Sequence, residues 1–255
     1  MAVMNIIDIY IIVLFFVTGL FISKVMIIIG FQLPLKKRYI SLCSCLHDYR
    51  VRELLPVYSF FKTKNKCPYC GKKLPNYLII LELLSAFFYS LSYILYGFSY
   101  EMIALIIICN IFTIIMTSDI QYYVINNIPV IVCSVLILLF KWLFWGFTSF
   151  YLALASGVII YAIMYVLRIF GNYLFKQDSL GGGDVKLSFF FGVCLGVKLG
   201  LLAIILGALL SFPRAIYYSL SKSNREIPFG PYLISALLVV FLFQNAIISF
   251  INLII

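Results

Sequence analysis

Eight apolar runs dominate this chain, and a helix of about 20 such residues is what crosses a lipid bilayer. They extend roughly over Asn5 to Ile29, Leu78 to Tyr96, Met102 to Thr117, Ile128 to Trp145, Phe150 to Ile169, Val185 to Val197, Leu199 to Ser219 and Tyr232 to Leu253. Only 11% of the residues are charged and 64% are hydrophobic, against roughly 25% charged in an ordinary soluble domain. The fold this predicts is all-α and polytopic, with about eight transmembrane helices. The first run is too long, and is followed by too much further membrane sequence, for a removable signal peptide, so it reads as a retained helix. The sixth is shorter than a full span, and only Gly196, Lys198 and Gly200 separate it from the seventh.

Charge sets the orientation, because short loops rich in Lys and Arg stay on the cytoplasmic side. Ten of the 19 basic residues lie between Gly30 and Tyr77, with Asp48 and Glu53 as the only acids there. That loop is expected in the cytoplasm, with the N-terminus outside. Three regions follow: 1–29 as the first transmembrane helix, 30–77 as a basic cytoplasmic loop, and 78–255 as a multi-helix membrane domain. Threading the helices from this anchor puts Asp119 to Asn127, Arg168 to Asp184 and Lys222 to Ile227 on the cytoplasmic side too. The outer ends then carry little positive charge besides Lys141 and Lys198. The net charge of +10 is thus mainly a topology signal, and with no basic folded domain nucleic acid is not an expected partner.

Of seven cysteines, Cys109, Cys133 and Cys194 fall in apolar runs and read as small buried hydrophobes. Cys43, Cys45, Cys67 and Cys70 share the basic loop, a reducing setting where clustered thiols are metal ligands more often than disulfides. CPYCGKK, Cys67 to Lys73, has the form of a zinc knuckle, its Gly permitting the turn. LCSCLHD offers Cys43 and Cys45, with His47 as an alternative ligand. Structural zinc on the four cysteines is the expectation. Free thiols in a loop ordered by packing are the alternative.

Acids are scarce, nine in all, so each can be weighed. Asp8 and Glu101 sit close to outer ends, and Glu82, early in the second helix, is expected to cap it or pair with a basic loop residue. Asp119 closes the third run in TSDIQYYVINNIP, and Asp184 opens the sixth in GGGDVKL. Both are expected at the cytoplasmic face, where a charge near the membrane interior marks a functional site. Two carboxylates brought close together titrate as a unit, one keeping its proton while the other acts as base, which suits peptide hydrolysis. From spacing alone, two separate helix caps are an equal reading. Gly181, Gly182 and Gly183 each weaken a helix by up to about 1 kcal/mol, so they suggest a break in the chain or the approach of a second backbone.

These elements occur in a definite order: ELLPVYSF from Glu53, KCPYCGKKL from Lys66, LELLSAFFY from Leu81, SDIQYYVINN with Asp119, LGGGDVKL with Asp184, and IPFGPYL from Ile227. In that order they resemble the type IV prepilin peptidases, membrane aspartyl proteases of the GxGD class, over nearly the whole length. The resemblance implies that Asp119 and Asp184 are the catalytic pair, with Gly181 to Gly183 in the active-site loop. It implies a substrate that is a prepilin or pseudopilin with a short basic leader, cut at the cytoplasmic face of a bacterial membrane just after a glycine. Many relatives also methylate the new N-terminus with S-adenosylmethionine. No dinucleotide-type glycine turn in this chain argues independently for that cofactor. The sequence departs from the family in two places. Leu42 stands where bifunctional members have the first Cys, and Ile125, Asn126 and Asn127 replace the usual Leu-Pro-Asp. A transporter that uses Asp119 and Asp184 to carry cations or protons is the alternative from another class, but no internal repeat supports it. A catalytically idle membrane scaffold with a zinc loop is a third.

Overall fold

The computed structural model describes residues 6–35, 66, 71, 73, 75–176, 180–220 and 228–254. Among them the helices are α1 Ile6–Gln32, α2 Tyr77–Tyr96, α3 Tyr100–Tyr122, α4 Asn127–Phe175, α5 Gly182–Leu220, α6 Gly230–Leu242 and α7 Gln244–Ile254. A 3₁₀ turn, Leu33–Leu35, extends α1. The described residues contain no strand, only an isolated antiparallel bridge between Lys66 and Lys73. The chain divides into two compact units, Met1–Gln121 and Tyr122–Ile255.

In the first unit, small and polar residues join the helices, as they do where lipid gives apolar surfaces no reason to associate. A Cβ on Gly19 of α1 would come within 2.9 Å of Ala86 and Tyr89 of α2, and one on Gly30 would collide with Thr117 of α3. Ser85 and Thr113 share a hydrogen bond of 2.8 Å between α2 and α3, and the Tyr89 hydroxyl donates to Asn110 Oδ1 at 2.7 Å. Glu82, expected to cap its helix or pair with a basic loop residue, forms an ion pair with Lys24 of α1, whose Nζ lies 2.7 Å from Glu82 Oε1. Lys24 is 7% exposed and Glu82 2%. At the other end of these helices the Tyr93 hydroxyl donates to Asp8 Oδ1 at 3.2 Å.

The second unit contains α4 of 49 residues and α5 of 39. Straight, they would measure roughly 70 and 60 Å, about twice the 30 Å of a hydrocarbon core. Neither is straight. Gly146 has φ 79° and Gly196 φ 77°, left-handed values that interrupt an otherwise helical backbone. Lys141 bonds the carbonyls of Val193 and Cys194, while Ser156 and Gly157 meet Gly192. The two halves of α4 therefore lie side by side along α5. Likewise Val185 shares a core with Leu201 and Ile204, which brings together the two halves of α5.

Among the described residues, five helices are long and apolar enough to cross a membrane, or six if α6 and α7 count as one bent span. All eight expected runs fall on these helices, with α4 and α5 each holding two runs on either side of a non-helical glycine. The fourth and fifth merge in α4, and the sixth and seventh in α5, each pair divided by one glycine. Lys198 and Gly200, expected to help separate the latter pair, are helical. The eighth run, expected as one span over Tyr232 to Leu253, bends by 72° after Leu242. Its first part, α6, is enclosed on nearly every side by apolar neighbours and contributes Leu233, Ile234, Leu237 and Phe241 to the core. Gly207 of α5 permits this, since a Cβ there would lie 3.0 Å from the Leu233 Cα.

The Gly196 break leaves the last carbonyls of the first half of α5 without helical partners. Lys141 supplies them, its Nζ donating at 2.8 Å to Val193 and 3.3 Å to Cys194. A cation at a helix C-terminus also complements the macrodipole. Lys141, expected simply as an outer-end charge, is a cap supplied by a neighbouring helix segment. Lys141→Met is expected to cost about 1.5–3 kcal/mol, the value of a charged hydrogen bond. A lowered melting temperature in detergent would show it, and a melt equal to wild type would contradict the cap.

Candidate active site

Asp184 lies in the first turn of α5 and is 7% exposed. The helix begins where the Gly181 carbonyl accepts from the N–H groups of Asp184 at 3.1 Å and Val185 at 3.4 Å. The glycines stand at the start of the helix, with Gly181 outside it and Gly182 and Gly183 in its first turn. What the glycines provide is room. A Cβ on Gly181 would stand 2.7 Å from Asp184 Oδ2, one on Gly182 2.9 Å from Arg168 Nη1, and one on Gly183 2.7 Å from the Ile125 side chain. A carboxylate, a guanidinium and the α3–α4 connection thus each rest on bare backbone. Arg168 is the residue that sequence reasoning used only as a topology marker. An arginine late in an otherwise apolar run was the available signal.

Asp119 lies in the last turn of α3 and is 5% exposed. The hydroxyls beside it are engaged with their own helix. Thr117 donates to Thr113 and Ile114 at 2.9 Å, and Ser118 to Ile115 at 3.4 Å. Asp119 belongs to the first unit and Asp184 to the second. The segment that follows Asp119 continues through Tyr123, in a left-handed conformation at φ 54°, to the Ile125 that packs on Gly183. The Asn-Asn departure from the family pattern falls at the start of α4, where Asn126 is extended and makes no side-chain cap bond.

Cys43, Cys45, His47, Cys67 and Cys70 lie outside the described residues, as does ELLPVYSF. Among the described residues no three His, Cys, Asp or Glu side chains gather as a metal site. The described flanks of the expected knuckle are Lys66 and Lys73, paired as a bridge, and Gly71 at φ 68°. Cys109, Cys133 and Cys194 are buried and free, as expected of small core hydrophobes.

Two sequence families meet in this chain. Residues 16–96 match the Bacterial Peptidase A24 N-terminal domain, and residues 106–216, which include Asp119, Gly181 to Gly183 and Asp184, match the Type IV leader peptidase family. In chain order the two matches resemble the type IV leader peptidase family between residues 16 and 216. A similar protein is the Prepilin leader peptidase/N-methyltransferase of Bacillus subtilis (strain 168), 26% identical over 246 residues that cover 92% of this chain and 95% of that protein. No solved structure matches. The transporter alternative draws no support from these matches.

Proposed function

We propose that this chain is a membrane aspartyl endopeptidase that removes the short basic leader of type IV prepilins or pseudopilins. In this reading Asp119 and Asp184 are the catalytic pair and act at the cytoplasmic face of a bacterial membrane. The observation that carries the reading is the burial of these two carboxylates at helix ends, inside the stretch matched by the leader peptidase family. Their surroundings favour different tasks. Asp184 sits at a helix start, where unpaired N–H groups and the macrodipole favour an anion, and Asp119 at a helix end, where carbonyl oxygens disfavour one. Asp184 accordingly takes a proton from water, whose oxygen attacks the scissile carbonyl. Asp119 gives its proton to the departing amine as the C–N bond breaks. Proton exchange with solvent returns both groups to their starting forms.

N-methylation of the newly exposed amine, with S-adenosylmethionine as donor, is the second activity proposed, on the strength of the Bacillus relative's name. One experiment reads both activities: co-express the chain with a prepilin and weigh the substrate. Loss of the leader is the expected result, and a further gain of one methyl group reports methylation. A prepilin that keeps its leader would overturn the proposal.

The basic loop, residues 30–77, is proposed to hold a structural zinc on Cys43, Cys45, Cys67 and Cys70, with His47 able to replace one thiolate. Support comes from the Lys66–Lys73 bridge, which brings the two ends of the knuckle together, and from the left-handed Gly71. Four thiolates around zinc form a closed structural site, and the ion would staple a loop too small to build a core. Purified protein is expected to contain about one zinc per chain, lost when Cys67 and Cys70 are both changed to Ser. Wild-type protein without zinc removes the proposal.

A further inference from the structure

The second unit has a groove of about 650 Å³ between the first half of α4, its second half and the start of α5. Its floor is Val130, Ser134 and Leu138, all buried, and its rims include the exposed Val135 and Val158. Ser134, the one polar side chain on the floor, gives its hydroxyl to the Val130 carbonyl at 2.7 Å, so the floor offers little but hydrocarbon. The polar lining gathers near one end, where α4 and α5 begin: Asn127 and Lys186. The two helix starts are neighbours, since Ile125 packs on Gly183. Lys186 is exposed and makes no hydrogen bond or ion pair among the described residues. Tyr161, also lining the groove, stacks on Tyr165 with ring centroids 6.2 Å apart.

We infer that this groove is a binding site for an anionic phospholipid, with the phosphate on Lys186 and one acyl chain along the apolar floor. Two observations select this occupant. The first is charge: a lone ammonium at the mouth of an apolar groove, at the level where spans begin, meets headgroups, and basic pockets between transmembrane helices bind anionic ones. The second is length. From Asn127 to Leu138 the groove follows the helix for roughly 16 Å, about half of a 30 Å hydrocarbon core. That is the reach of a single leaflet. A crossing helix from a protein partner would need the full thickness and a channel about 10 Å wide. The volume lies within the roughly 300–1,000 Å³ of small-molecule sites.

Vesicles of phosphatidylcholine containing a minor share of phosphatidylglycerol provide the test. The full chain is reconstituted, extracted in mild detergent, and its retained lipid measured by mass spectrometry. Wild type is expected to retain about one phosphatidylglycerol per chain, several-fold above its share of the vesicle. Lys186→Ala should bring the retained lipid back to the vesicle ratio, and Val158→Trp, at a 53% exposed rim position, should expel it. A photoreactive side chain at position 158 in otherwise wild-type protein gives a reading that depends on neither variant. A phospholipid adduct supports the site. Retained wild-type lipid that mirrors the vesicle, unchanged retention in Val158→Trp, or an adduct with a co-expressed prepilin instead of lipid would each overturn it.

Discussion

Changing Asp119 or Asp184 to Ala is expected to leave a co-expressed prepilin with its leader intact. Positioned acid or base groups each contribute about 10²–10⁴-fold to a rate, so either single loss should push processing below detection on a cellular timescale. Groups that act as one unit do not add, and the double variant should be no worse than either single one. Folding is a separate matter. A buried carboxylate removed to Ala leaves little strain at the ends of α3 and α5, and the variants should accumulate in the membrane and melt near the wild-type temperature. Leader loss that survives both single substitutions would dismiss the aspartyl mechanism. Inactive variants that also fail to accumulate would call for the isosteric Asp119→Asn and Asp184→Asn, read in the same way.

The largest stability effect is expected at the Lys24–Glu82 pair. Both groups are almost wholly buried in the first unit, 2.7 Å apart and within membrane-spanning helices. Removing one partner takes the ion pair from the other in a medium that solvates charge poorly, at a cost of up to about 3–5 kcal/mol. Glu82→Ala and Lys24→Ala should therefore each lower the melting temperature and the yield of folded protein. The double substitution Lys24→Met with Glu82→Leu removes both charges and keeps the volume filled, and should restore most of the loss. A double variant no better than the worse single one would show that packing, not charge, dominates at this contact. A Glu82→Ala protein that melts like wild type would show that the pair contributes little.

The membrane fold was legible in the sequence because each apolar run announces itself locally. The order of motifs placed Asp119 and Asp184 at helix ends without any coordinates. What stayed hidden depended on partners distant in sequence. Glu82 reads as an interfacial acid until Lys24, 58 positions away, is seen against it. The three glycines report that side chains are absent, but not that a carboxylate, a guanidinium and an isoleucine fill the space. Gly146 and Gly196 could mark either loops or helix breaks, and hydropathy does not tell a one-residue reversal from a short connection. The bend after Leu242 has one faint sign, the Gln244–Asn245 pair inside an otherwise apolar run. A polar pair of that kind suits exposed backbone groups at a helix break better than the middle of a span.

The glycine reversals at Gly146 and Gly196 also determine where the second unit can be handled by experiment. Each hairpin closes on one left-handed residue, a conformation that any side chain with a Cβ adopts only under strain. On that side of the unit there is almost no spare chain to accept an epitope, a fluorophore carrier or a protease site. A reporter inserted at either glycine would have to lengthen a turn that now contains a single residue, and at Gly196 it would also pull two carbonyls away from Lys141. Tags and accessibility probes therefore belong away from both reversals and from the helix starts that hold Asp184, and silence from the reversal side should not be read as burial in a partner.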